Sequence, residues 1–303
     1  MNRDIRRIAR DLDGSDWQLE LPLVVVHGGA GDWKDEKIPI GVEHVEVAAK
    51  IGFQVLLDGG SVLDAAEQCT LYMESCGMLN AGRGATRNAL DQQELDAMII
   101  DGENLRFGSV ASIRGIENPI SLARYIMEKT EYVFFAGDGA LAQYKNMIQE
   151  GYRQEVTQGV IEKPLLPDTM DTVGCIIVDS KGRTAATSST GGLKNKPLGR
   201  VGDSPVFGSG AFANDVGVAS ATGFGEHIMR VTLCRDVVSH IEHGMDVQLA
   251  ADKGISFFSE KTKSEAGIIA ADVKGNWGKS TNAKAMPVAI IRQQIGNLES
   301  YTK

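Results

Sequence analysis

The stretch DTVGCIIVDSKGRTAATSSTGGLKNKPLGRVGD, from Asp171 to Asp203, decides how this chain folds. A hydroxyl residue, Thr172, stands near its start, followed by Val173, Gly174 and the apolar run CIIV. Lys181-Gly182-Arg183 is turn chemistry between two β-prone runs, so 173–179 and 184–189 are expected to form a hairpin. A hairpin returns the chain beside its own start, which lays Thr190 next to Thr172. The stretch closes on Arg200 and Asp203, three apart among glycines.

Working outward, 303 residues suit one large domain or two small ones, and either buries a substantial core. Hydrophobic residues make up 43% and charged residues 23%, the balance of an ordinary soluble globular chain. The net charge of −9 argues against nucleic acid or an anionic membrane as partner. It does not argue against a small anionic substrate, because one local arginine outweighs the global field. Cys69, Cys76, Cys175 and Cys234 form no CxxC pair and no metal spacing, and are expected reduced, in or near the core. No apolar run reaches the roughly 18 residues of a membrane span, and the N-terminus is charged without an apolar signal core. A cytoplasmic location is therefore expected.

Along the chain, residues 1–20 read as a charged peripheral extension. The strand LVVVH (23–27) runs into GGAGDW, which has neither dinucleotide-fingerprint nor P-loop spacing, so no nucleotide is expected. His27 reads as a hydrogen-bonded structural histidine. Helical periodicity covers about 41–57 and 61–74. In MESCGMLNAGRGA (73–85), the small residues Ala81, Gly82 and Gly84 follow Asn80. Such a run is a connecting loop by composition, although a curled loop can turn its carbonyls onto a hard cation. LDAMIID (95–101) and LRFGSVASIRG (105–115) read as paired strands, and a helix runs from Asn118-Pro119 to about 129. YVFFAGDGA gives a strand, then a helix ending near Gln149, and 150–171 is the linker. Strands follow in SPVFGSGAFAN and 216–223, then one amphipathic helix from Glu226 to about His243 and another over 246–258. IIAADVKGNWG is a hairpin, and PVAIIRQ is the final strand. These elements belong to the α+β class, with two stacked sheets flanked by helices.

A threonine hydroxyl is a poor nucleophile until a nearby base takes its proton. The histidines are scattered and none lies near a GxSxG elbow, so no serine triad suggests itself. The other route uses the threonine's own α-amino group as base, which requires a cut immediately before it. An α-amine titrates at about 7.7–8.0, suited to that task without tuning. The linker ahead of Thr172 is what such a cut needs. On the residues alone, a threonine that merely starts a strand remains the competing reading.

The blocks VHGGAG (26–31), LNAGRGA, ELDA followed by DG, NPISLAR, DTVG, TSSTGGL, GRVGDSP and ATGFGE occur in one order over most of the chain. That pattern resembles the N-terminal-nucleophile asparaginase family: plant-type L-asparaginases and isoaspartyl peptidases, with glycosylasparaginases and taspase as relatives. The resemblance implies one domain, 1–303, folded as a four-layer αββα sandwich. It implies self-cleavage between Asp171 and Thr172 into an α subunit, 1–171, and a β subunit, 172–303. Thr172 matches the nucleophile and Thr190 the threonine that hydrogen-bonds it. Arg200 matches the clamp for a substrate α-carboxylate, and Asp203 the acceptor for its α-ammonium group. Thr222 and Gly223 match the oxyanion hole, and Asn80 an active-site asparagine from the first half. Met73, Glu74, Cys76, Leu79, Ala81 and Arg83 match a loop whose carbonyls hold a structural sodium ion. No cofactor is implied for catalysis, and the implied assembly is a dimer of αβ units. The implied reaction is hydrolysis of the side-chain amide of L-asparagine or of β-aspartyl dipeptides, releasing aspartate.

The sequence departs from the pattern in places. Asp171 stands where asparaginases usually have glycine, Phe224 where a residue is often polar, and the linker is shorter than in many members. A glycosylasparaginase, acting on an N-linked sugar–asparagine, is therefore one alternative. An uncleaved, non-enzymatic binding protein is the other.

Overall fold

The computed structural model describes residues 21–152, 172–293 and 298–303. The extension at 1–20, most of the linker and the cleavage residue Asp171 lie outside them. The fold is mixed α and β, built on two sheets. Its strands are β1 (Leu23–His27), β2 (Leu95–Asp101), β3 (Arg106–Ile113), β4 (Phe134–Ala136), β5 (Val173–Val178) and β6 (Thr184–Thr190). They continue with β7 (Ala211–Ala213), β8 (Gly217–Gly223), β9 (Ala266–Asp272), β10 (Trp277–Thr281), β11 (Val288–Arg292) and β12 (Leu298–Tyr301). The larger sheet has eight strands in the order β12-β11-β1-β5-β6-β2-β3-β4, and the smaller has four, β10-β9-β8-β7.

The expected hairpin is β5–β6, paired from Val173↔Ser189 to Val178↔Thr184. Its turn is organised by Asp179, whose Oδ1 accepts from the amides of Lys181 and Arg183, both at 2.9 Å. This is the local bonding that makes aspartate a turn former. The register, extended by one residue, sets Thr172 across from Thr190.

Helices α1 (Ile38–Leu57), α2 (Val62–Ser75), α3 (Pro119–Lys129) and α4 (Gly137–Gln149) come from the first half of the chain. Helix α2 starts where the sequence has Ser61-x-x-Asp64, a reciprocal capping box. The long helix expected from Glu226 to His243 is two helices, α5 (Gly225–Val231) and α6 (Leu233–Glu242). Thr232 breaks it, with φ of 46° in the left-handed region. The apolar stripe continues through Ile228, Leu233 and Val237 on both sides of the break, so periodicity could not reveal it. Helix α7 runs Val247–Thr262, longer than expected. PVAIIRQ is not the last strand, because β12 pairs with β11 beyond it. Of SPVFGSGAFAN only β7 is strand.

Alternation along the strands sorts the apolar side chains into three clusters. Val24, Val26, Ala97, Ile99, Val173, Cys175 and Ile177 face helices α1 to α3. Leu23, Val25, Met98, Ile100, Ile176 and Val178 face the smaller sheet, where Val218, Ile269 and Ala271 meet them. Ala219, Ala221, Ile268 and Ala270 point from the smaller sheet toward α5, α6 and α7.

The same alternation positions the polar residues. Side chains two apart share a face. His27 thus follows Leu23 and Val25 into the inter-sheet space, Thr172 precedes Gly174 and Ile176, and Thr190 follows Ala186 and Ser188. Asp96 precedes Met98, and Ser220 and Thr222 follow Val218. Antiparallel pairing brings His27 beside Gly174 and Thr190 opposite Asp96, so these polar groups gather at one end of the apolar gap.

Candidate active site

Thr172 is buried at that end, 4% exposed. Its backbone nitrogen lies 3.4 Å from the Thr222 hydroxyl, which also accepts from the Ala30 amide at 3.2 Å. The Thr172 hydroxyl lies 3.4 Å from that of Ser204, the residue after Asp203. Thr190 stands opposite Thr172 as expected, but its hydroxyl accepts the Gly192 amide at 2.9 Å and makes no described bond to Thr172. Gly223 ends β8, paired with Ala266.

Asn80 reaches the site from the first half of the chain. Its Nδ2 donates to the Gly192 carbonyl at 2.9 Å, and its Oδ1 accepts the Thr86 amide at 2.8 Å. Thr86 Oγ1 donates to the same carbonyl. The turn after Thr190 is therefore held from two sides by the 79–86 segment.

His27 is fully buried, and burial pushes its pKa down to about 3. Burial thus keeps the imidazole neutral at working pH. Its Nε2 meets Ser220 Oγ at 3.0 Å, and Ser220 donates onward to the Thr187 carbonyl. A Cβ at Gly174 would come within 2.3 Å of Ser220 Oγ and 2.5 Å of His27 Nε2, which explains the glycine two residues after Thr172. The structural reading of His27 agrees with this geometry.

Asp203 and Arg200 carry the charge. Asp203 is 3% exposed and its Oδ2 has no hydrogen-bond partner among the described residues. Burial raises its pKa to about 7, against the opposing pull of Arg200. A buried acceptor with an unused lone pair costs free energy until a donor arrives. Arg200 is bound edge-on by Glu226, with Nε to Oε1 at 2.8 Å and Nη2 to Oε2 at 2.6 Å. Behind them Lys196 is fully buried, its Nζ donating to the Glu94 carbonyl at 3.1 Å and lying 3.9 Å from Asp96 Oδ2. Burial pushes Asp96 up and Lys196 down, each opposed by the other's charge.

A family model described as asparaginase matches residues 20–163 and 141–298 of the chain. The chain belongs to the asparaginase family. It is 37% identical over 288 residues to an isoaspartyl peptidase/L-asparaginase of Danio rerio, covering 90% of this chain and 93% of that protein. The human protein of the same name is 37% identical over 286 residues, with 88% and 92% covered. A plant-type L-asparaginase of Thermococcus kodakarensis is 36% identical over 306 residues, with 92% and 99% covered.

Four site residues escaped the sequence reading of this asparaginase-family chain: Ser204, Glu226, Lys196 and Thr86. Ser204 and Glu226 sit inside GRVGDSP and ATGFGE, so the signal was present. Nothing in their spacing says which atoms they meet. In the 73–83 segment, the Leu79 carbonyl accepts from Ala81 N, the Ala81 carbonyl from Gly84 N, and the Arg83 carbonyl from Gln93 Nε2. The Met73 carbonyl accepts from Cys76 Sγ. Each of these oxygens keeps a second lone pair. Neutral carbonyl oxygens fit a hard alkali cation, and no cluster of metal-type side chains occurs among the described residues.

Proposed function

We propose that the chain cuts itself before Thr172 and then hydrolyses the side-chain amide of L-asparagine or of β-aspartyl dipeptides. Family membership supports the reaction class, since two of the relatives above are named isoaspartyl peptidase/L-asparaginase. The observation that carries the reading is Thr172 itself. Its nitrogen and hydroxyl are both buried, on Thr222 and beside Ser204, where a cut would free an amine next to its own hydroxyl.

In the precursor the Thr172 hydroxyl attacks the preceding carbonyl, and water cleaves the resulting ester. The freed amine then takes the hydroxyl proton as Thr172 attacks the substrate amide. Arg200 binds the α-carboxylate and Asp203 the α-ammonium, which supplies the donors its Oδ2 lacks. Thr222 and Gly223 stabilise the oxyanion, and Asn80, Thr86 and Thr190 hold the 190–192 turn. Ammonia or an amino acid leaves, and water releases aspartate from the acyl-enzyme. A sodium ion on the carbonyls of Met73, Glu74, Cys76, Leu79, Ala81 and Arg83 would stiffen the loop carrying Asn80; no cofactor enters the chemistry.

The three stacked apolar clusters support a single domain built as the four-layer αββα sandwich of N-terminal-nucleophile hydrolases. Four buried free thiols support a cytoplasmic setting, and among the described residues no helix is long and apolar enough to cross a membrane. Exposed Tyr132, Val133 and Phe134 at the β4 edge are a surface that pairing of αβ units would cover.

Intact-mass spectrometry of denatured protein tests the reading. Wild type is expected as fragments 1–171 and 172–303, and Thr172→Ala as a single uncut, inactive chain. A Thr172→Ala protein that still splits there would refute the assignment. A panel of L-asparagine, β-aspartyl dipeptides and glycosylasparagine then separates an asparaginase or isoaspartyl peptidase from a glycosylasparaginase.

A further inference from the structure

The proposed reaction assigns Glu226 no direct contact with substrate, yet its pair with Arg200 is the best-formed ion pair at the site. Both Glu226 oxygens engage Arg200, at Nε and Nη2. The Arg200 side chain is 13% exposed and that of Glu226 41%, so the carboxylate grips the guanidinium from the rim. A guanidinium presents a side edge, Nε with one Nη, and an end formed by both Nη groups. Glu226 takes the side edge. Nη1 has no hydrogen-bond partner among the described residues and lies against glycines, 2.9 Å from where a Gly202 Cβ would stand and 3.2 Å from that of Gly192.

The segment carrying Glu226 also serves the neighbouring groups. Gly223 ends the strand that holds Thr222, and a Gly225 Cβ would stand 2.8 Å from Asp203 Oδ1. The 222–226 segment thus runs from the proposed oxyanion donors past Asp203 to Arg200. The Arg200 hydrogen bond is the main reason the Glu226 pKa is lowered, so the carboxylate stays charged.

We infer that Glu226 is a positioning residue: it holds Arg200 by its side edge so that the Nη1/Nη2 end faces the substrate α-carboxylate. The inference rests on the proposed asparagine or β-aspartyl hydrolysis. A rival account makes Glu226 a stand-in carboxylate that substrate must displace, and the two predict opposite effects on KM.

The test is steady-state kinetics of wild type, Glu226→Gln and Glu226→Asp on the preferred substrate and on its α-carboxamide analogue. Self-cleavage and thermal midpoint serve as checks of folding. For Glu226→Gln, KM for the α-carboxylate substrate is expected to rise about tenfold or more, with a smaller change in kcat. Glu226→Asp, with a shorter reach but the same charge, should recover part of that loss. The analogue should discriminate little between wild type and Glu226→Gln, because the group that Arg200 would bind is absent. A fall in KM, or an equal loss on both substrates, would overturn the inference. If wild type turned over neither asparagine nor a β-aspartyl dipeptide, the underlying reading would fail and take this one with it. A wild type that is active alongside an unchanged Glu226→Gln would sink the inference alone.

Discussion

Asp203 shows how one residue ties the site to pH. Burial raises its carboxyl to about 7, and Oδ2 awaits a donor. An ammonium acceptor must be ionised, so kcat/KM is expected to fall below pH of about 7, approaching tenfold per unit. The Thr172 amine, titrating at about 7.7–8.0, adds a limb of its own, so Asp203→Asn should lower kcat/KM and make the acid side of the profile shallower; an unchanged steepness would assign the ionisation elsewhere. The same shift acts on stability with the opposite preference. Between the ordinary carboxylate range and about 7 the folded state binds more protons than the unfolded one, so this group's contribution falls as pH rises. Glu74, raised to about 8 by burial despite bonds from Ser189, Asn118 and Ile120, acts in the same sense to higher pH. The sequence located Asp203 through GRVGD but could not say that one of its oxygens is unpaired.

Among the elements, the 191–200 segment is anchored in part by a buried charge. Lys196 reaches under Gly192 to the Glu94 carbonyl and toward Asp96. Removing one partner of a buried pair leaves the other uncompensated, which typically costs about 3–5 kcal/mol. Lys196→Met is expected to lose stability on that scale in chemical denaturation, and the double variant with Asp96→Leu to recover much of it. Additive losses would show that the two do not interact. Charged residues are seldom buried, so an NKP tripeptide in a loop gives no hint of this role. The break at Thr232 was hidden for a different reason. Both flanking helices present the same apolar face, and a single left-handed residue leaves the period almost untouched.

Across the whole molecule, the larger sheet interleaves the two halves of the chain. Strands β1 to β4 precede the proposed cut and β5, β6, β11 and β12 follow it, yet β1 pairs with β5 and β6 with β2. Separating the fragments would strip backbone hydrogen bonds from the middle of a buried sheet. The cut protein is therefore expected to elute as one species in native size exclusion and to resolve into two masses only on denaturation. Dissociation under native conditions would contradict this strand order.

What the sequence determined by itself is local. Turn chemistry and alternation specified the β5–β6 hairpin, the capping box began α2, and motif blocks named Thr172, Thr190, Arg200, Asp203, Thr222, Gly223 and Asn80. The turn and cap signals rest on steric and hydrogen-bonding preferences that act over a few residues, whereas the motif blocks named their residues through resemblance to the asparaginase family. The tertiary structure decided which atoms meet: Thr172 beside Ser204, Arg200 on Glu226, Lys196 on the Glu94 carbonyl, Asn80 on the Gly192 carbonyl. These contacts join segments up to 112 positions apart. They follow from sheet order and from which face each strand turns to the gap, and no local preference encodes either.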